Sequence, residues 1–356
     1  MSTSPKTFTR LLTTLAVAGV LLSACGGSGG ASPGQDQAPA GPPDEAAAQE
    51  EGKVVVYTSV DTKALEAINA AFTEKYGIEV EYFRGDSQDA ISRLLSESRA
   101  GGAKADVIET SDTPGMIFLG EEGLTTPYVS AEAAEIPDEY KDPEGLWTYT
   151  RLTLGVIAYR PDKVEAPTSW AQLSEEPYRS QLALFSDSQG SGAARLWTLA
   201  EELGWDTIES WGEAEPLRVE TPQLLRQTLE RGERAVGIAQ NDNHALSSRA
   251  DTDGAVDFAI PEEGVPLEPA AIGLVTDSPH PNAGKLYLDF WLSEEGMEIL
   301  VDVGKKYVSR DGVGHPEGAE PLEDIPLILP DYEAYAEQRG EALGRLQTIF
   351  GGEWGQ

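Results

Sequence analysis

"KVVVYTSVDTKALEAINAAFTEKYGIEVEYF", residues 53–83, decides the architecture, because its hydrophobic period changes twice within one short stretch. Val54–Tyr57 is a β-branched and aromatic run suited to a strand. Asp61 or Thr62 then opens a helix on which Leu65, Ile68 and Phe72 recur at helical spacing, and Gly77 ends it before "IEVEYF". Two strands joined by one helix form a β-α-β unit. "GDSQDAISRLLSESRAGG" (85–102) and "ADVIE" (105–109) repeat the pattern, with Ile91, Leu94, Leu95 and Ser98 on one helix. Alternation of this kind predicts an α/β fold around a mostly parallel sheet covered on both faces. In such sheets ligands sit beyond the carboxyl ends of the strands. That rule places Thr58, Ser59 and Asp61 on one rim with Ser111 and Asp112.

A second set follows. "LTLGVIAY" (152–159) reads as a strand, "PTSWAQL" (167–173) as the start of a short helix, and "QLALFSDSQGSGAARLWTLAEELGW" (181–205) as strand, loop and helix. "TPQLLRQTLERGERAVGIAQ" (221–240) is helix, turn and strand, with Asn241, Asp242, Asn243 and His244 at the strand's exit. Strands are expected at "GAVDFAI" and "AAIGLVT", and helices in "PNAGKLYLDFWLS", "EEGMEILVDV" and "DYEAYAEQRGEALGRLQTIF". At 356 residues the chain exceeds the usual limit of one hydrophobic core, so two lobes are expected.

The amino terminus reads differently. Lys6 and Arg10 precede the apolar run "LLTTLAVAGVLL", which is too short to span a bilayer and reads as a secretory signal. "LSAC" resembles a bacterial lipobox, which implies acylation at Cys25, the only cysteine, and a chain lipid-anchored at the outer face of the membrane. Disulfides are thereby excluded. Residues 26–52, rich in Gly, Pro, Ala and acids, read as a disordered tether. The 61 acidic residues against 26 basic ones give a formal charge of −35, which repels nucleic acid and anionic lipid. An anionic ligand therefore needs a local positive site.

"DSQGSGAAR" (187–195) carries Ser188, Gly190, Ser191 and Gly192 into a helix whose first amides favour an anion; an ordinary cap by Ser188 or Ser191 is the alternative. Arg151 is a further anion candidate, or a salt link. His244, His280 and His315 stand in no zinc or metalloprotease spacing, and no nucleophile with a base is recognisable, so the chain is not expected to be an enzyme. A ring of polar loops without a nucleophile suits a receptor.

The succession "VVVYTSVD", "ADVIETSD", "GVIAYRPD", "PTSWAQL", "GERAVGIAQ", "AGKLYLDFWLSEEGMEIL" and "KKYVSRDGV" resembles the solute-binding proteins of ABC importers, in their ferric-iron-type branch, from about residue 53 to 350. The resemblance implies a periplasmic-binding-protein type II fold, two hinge-linked lobes with a cleft between them. On that basis lobe 1 is expected over 53–155 plus 265–300 and lobe 2 over 156–264 plus 301–356. Iron-binding members carry adjacent tyrosines where this chain has Asp242 and Asn243, so it departs from that pattern at its most specific point. Tyr57, Tyr149 and Asp242 are the oxygen donors left for ferric iron, which is a transported ligand here and not a cofactor; no cofactor is expected. The alternative ligand is a small organic anion such as a phosphonate or sugar phosphate. Its acid is then held by Ser111, Ser188, Ser191 and nearby amides, and its hydroxyls or ammonium by Asp242 and Asn243. The implied partners are an ABC permease and its ATPase, with the chain itself a monomer. A ligand-sensing surface lipoprotein and, further off, a secreted hydrolase are the competing readings.

Overall fold

The computed structural model describes residues 41–186 and 191–352. It opens with α1 (Glu45–Glu51), β1 (Lys53–Thr58), α2 (Thr62–Tyr76), β2 (Glu79–Arg84), α3 (Ser87–Arg99), β3 (Val107–Thr110), α4 (Thr113–Glu121) and the short β4 (Thr125–Thr126). The expected β-α-β units are present, with β1 paired in parallel to both β2 and β3. Asp61 caps α2 by accepting the Ala64 amide, and Leu65, Ile68 and Phe72 are fully buried.

A long strand, β5 (Thr148–Tyr159), leads away from this half. Beyond it come β6 (Leu182–Phe185), α5 (Ser191–Leu203), α6 (Trp205–Gly212), β7 (Leu217–Val219), α7 (Pro222–Glu230), β8 (Val236–Asn241), α8 (Asp242–Asp251) and β9 (Asp257–Ala259). A second long strand, β10 (Val265–Val275), returns. The chain finishes with α9 (Pro281–Leu292), α10 (Glu294–Asp302), β11 (Tyr307–Val308), β12 (Leu327–Ile328) and α11 (Tyr332–Phe350).

The sheet runs β2-β1-β3-β10-β5-β8-β6-β7. Its two ends are parallel, whereas β10 and β5 at the centre are antiparallel to each other and serve both halves. Each half has its own core. In one, Phe72 packs edge-on against Tyr287 and Phe290 of α9, at centroid distances of 5.0 and 5.7 Å. In the other, Trp170 and Trp211 are buried with Leu184, Leu196 and Ile238. Burial of such a side chain contributes roughly 1.5–3 kcal/mol relative to leaving it in water, and the two strands at the centre join the two cores.

Two local expectations change. "PTSWAQL" makes only a 3-10 turn at Trp170–Ser174, capped by the Ser169 hydroxyl. Asp242 stands at the strand's exit, as expected, and starts α8 there. The tether expected to reach residue 52 instead folds at its end: Asp44 caps α1, and the Glu51 carboxylate accepts the amides of Asn282 and Ala283 at 3.2 and 2.7 Å. Those amides belong to the first turn of α9, which His280 leaves without a side-chain cap. An anion on these free N–H groups satisfies them and complements the helix dipole. Glu51→Ala should therefore lower the unfolding free energy by about 1–2 kcal/mol in a denaturant titration; no change would mean that α1 is not docked in solution.

Candidate functional site

The carboxyl ends of β1 and β3 lie side by side, and the loops leaving them are cross-linked. The Ser111 amide donates to Ser59 Oγ at 3.1 Å, and Ser111 Oγ lies 3.1 Å from Ser87 Oγ at the start of α3. Asp86 and Asp112 cap α3 and α4, so their charges face helix amides. Asp112 also accepts from Gln88 at 2.6 Å. A cavity of about 210 Å3 opens above these hydroxyls. From the first half it is lined by Ser59, Arg84, Ser87 and Ser111, from the crossing strands by Glu268, and from the other side by Ala194 of α5 and Tyr332, Tyr335 and Arg339 of α11. Arg84 donates Nε to the Val60 carbonyl at 3.2 Å.

Below the rim, the crossing strands carry a row of buried charges. Arg151 donates Nε to Glu109 at 3.0 Å and its terminal nitrogen to Ser59 Oγ at 3.1 Å. Thr58 Oγ1 donates to the other Glu109 oxygen at 2.6 Å, so this carboxylate is fully engaged. Arg195 pairs with Glu268 and donates to the Ala239 carbonyl and to Asn241 Oδ1, at 2.7 and 2.8 Å. Gly155 makes room for that arginine: a Cβ there would lie 2.7 Å from Arg195 Cδ. Asp242 is 1% exposed, and its Oδ1 accepts the Leu154 amide at 2.9 Å. Burial pushes its carboxyl above the usual range, against the pull of Lys306, while burial and three neighbouring cations lower His244 to about 3, leaving it neutral. Lys306 is 7% exposed, and burial lowers its ammonium to about 8 despite the nearby Asp242.

Of the residues expected from the sequence, Ser59, Ser111 and Asp112 come together at the cavity. Asp61 and Asp112 act as helix caps, and Thr58 turns inward to Glu109. Arg151 is the salt link of the two readings weighed for it. Ser188 and Gly190 lie outside the described residues, as does Cys25; Ser191 and Gly192 begin α5. Asn241 and Asp242 do not line the cavity: where α8 starts, Asn241 accepts from Arg195 and Asp242 from the Leu154 amide of β5. Asn243, in that same first turn, keeps a buried Oδ1 with no donor among the described residues.

Tyr57 is corrected as a donor to the cleft: its hydroxyl donates to Glu97 at 2.8 Å and it lines a separate pocket with Arg93 and His280. Burial, then the Glu97 bond, raises its phenol to about 12. Tyr149 stacks on Trp147 at 4.7 Å, and burial raises its phenol too. Arg84, Ser87, Arg195, Glu268, Lys306, Tyr332 and Arg339 were not expected. Only Ser87 had a legible signal, since "GDS" leaves a strand as "TSVD" and "TSD" do.

Comparison with known proteins gives the family and the fold. Residues 54–305 match the family model of the bacterial extracellular solute-binding proteins, and the chain belongs to that family. It is 24% identical over 234 residues to a probable ABC transporter periplasmic-binding protein, y4fP, of Sinorhizobium fredii, covering 62% of this chain and 64% of that one. It is 21% identical to the Fe(3+)-binding periplasmic protein of Serratia marcescens, covering 86% of this chain and 92% of that one. Among solved structures, the periplasmic binding protein AfuA of Actinobacillus pleuropneumoniae, with fructose-6-phosphate bound, superposes with a TM-score of 0.72 at 21% identity. The match covers 84% of this chain and 98% of that one. The two-lobed fold of these binding proteins is the fold of this chain.

The buried Lys306 has a measurable signature. With its folded value near 8 and its unfolded value near 10.5, the folded chain releases a proton that the unfolded chain keeps, so stability rises with pH across that window. The stability of the wild type relative to Lys306→Met should climb between pH 8 and 10.5, by at most about 3 kcal/mol. A pH-independent difference in denaturant titrations would show that the ammonium is solvated.

Proposed function

We propose that this protein captures a small organic solute with an acidic group in the cleft between its lobes and delivers it to the permease and ATPase of an ABC importer. One observation carries the reading: the cavity joins Arg84 and Arg339 from opposite lobes above three serine hydroxyls. The acids beside them, Asp86 and Asp112, are engaged as caps. Among the described residues, Arg339 has no ion-pair or hydrogen-bond partner of its own. In a chain of formal charge −35, two guanidiniums turned toward one gap supply the local field that an anion needs. A phosphate or phosphonate accepts from both arginines and from the hydroxyls at once, and so draws the lobes together. Closure is favoured to the extent that the closed state makes contacts the open state lacks.

In this reading the chain is a receptor and not an enzyme. Acylated Cys25 holds it at the outer membrane face, and it works as a monomer. The relatives named for ABC transport and ferric ion support the transport role. A ferric reading draws on one feature of the site, the Tyr332 phenol placed near Tyr149 and Glu268.

Calorimetric titration of the purified protein with fructose 6-phosphate and with ferric citrate separates the two. The acid reading predicts binding of the ester, weakened about 10-fold or more by Arg84→Ala and by Arg339→Ala, with the melting temperature of the ligand-free protein nearly unchanged. Heat with ferric citrate alone, unaffected by either variant, would contradict it.

A further inference from the structure

The last helix of the chain is anchored in one lobe and touches the other. The second half of α11 is fixed to the lobe that holds β6 and β8, where Leu346 is fully buried in one core with Ile208 and Trp211. Arg345 pairs with Glu209 of α6 at 2.8 Å, and the two helices lie so close that Gly212 has no room for a Cβ beside Ile349. The first turns of α11 have other neighbours. Tyr335 packs on Trp197 of α5 at a centroid distance of 5.3 Å, and Tyr332 joins the same apolar cluster. Ile117 of α4 packs against that cluster from the opposite lobe. α4 is built into that lobe, since Met116 and Leu119 are fully buried there with Ile91, Leu94 and Ile108.

Ile117 does not line the cavity, whereas Tyr332, Tyr335 and Arg339 do. Residues three and four apart share a helix face, so these three form one stripe along α11. Whatever holds the tyrosines on α4 therefore also holds Arg339 over the gap. The contact is apolar and needs no solute. When the lobes part, Ile117 and the tyrosine rings return to water, so the contact favours the closed arrangement in the empty chain. A receptor that is partly closed and has its arginine in place beforehand leaves less ordering for the solute to impose.

We propose that Ile117 is a positioning residue: with the first turns of α11 it forms an apolar latch that draws the lobes together before any solute arrives and sets Arg339 over the cavity. This rests on the receptor reading for its use in capture, while the latch itself is a property of the empty protein. Ile117 touches no solute and acts only through α11.

The test measures lobe separation in the full-length, ligand-free chain by pulsed dipolar spectroscopy. Spin labels are placed by Glu66→Cys on α2 and Gln223→Cys on α7, both exposed and in different lobes, with Cys25→Ser so that only those sites react. The expected result is that the separation of the structure is well populated without solute. Ile117→Ser should cut the closed-to-open ratio about 10-fold, and the volume-conserving Ile117→Leu should restore most of it. Phe118→Ser, next along α4 and 41% exposed, should leave the ratio unchanged. Affinity for fructose 6-phosphate should fall in Ile117→Ser in step with the closed fraction and recover in Ile117→Leu. A wholly open ligand-free chain, a ratio that Ile117→Ser leaves unchanged, or an equal loss in Phe118→Ser overturns the latch and leaves the acid-binding reading standing. If the closed state responds as expected but no ester binds, the latch stands and the acid-binding reading has failed. The distances in the chain with Ile117 intact can overturn the latch even if a variant does not fold.

Discussion

Two long antiparallel strands, β5 and β10, carry ionised side chains into a place that water hardly reaches, and the rest of the molecule is arranged around that fact. Arg151 with Glu109 and Arg195 with Glu268 are buried pairs, and pairs of this kind stabilise little by themselves, because desolvation cancels most of the attraction. Their value is positional. Each arginine has further fixed acceptors, Ser59 Oγ for one and the Ala239 carbonyl with Asn241 Oδ1 for the other. Rim, floor and second lobe are thereby held in register. Gly155 belongs to the same arrangement, since the space of its missing Cβ is taken by Arg195.

From this follows how binding and motion are joined. The cores on either side of the crossing strands are separate, and the crossing strands carry a further one with Leu152, Leu154 and Leu267. The cavity is lined from both sides, and α11 returns at the end of the chain to place Tyr332, Tyr335 and Arg339 over it. A guest that touches Arg84 and Arg339 together is bound best when the lobes are close. That is the physical content of a solute receptor: affinity and closure are one free energy.

Much of this architecture was legible in residues close together along the chain. The change from strand to helix periodicity in residues 53–83, the capping Asp61 and the buried Leu65, Ile68 and Phe72 are local facts, and they appear as expected. Ser59 and Ser111 were legible as site residues because strand exits in parallel sheets converge. Glu268 was not, because it comes opposite Thr153 only through pairing of strands more than a hundred residues apart. Asp242 stands at the strand's exit as expected, but α8 begins there without a side-chain cap, so no local signal announced the helix. The end of the tether folded because Glu51 found uncapped amides on α9, a partner more than two hundred residues away.

The central claim is that the cavity joining Arg84 and Arg339 above the serine hydroxyls is where the solute lies. A crystal structure of the protein grown with fructose 6-phosphate tests this most directly. The account predicts the phosphoryl group among Ser59, Ser87, Ser111, Arg84 and Arg339, with the lobes closed on it. Ester density at any other surface, with the two arginines unengaged, would contradict it.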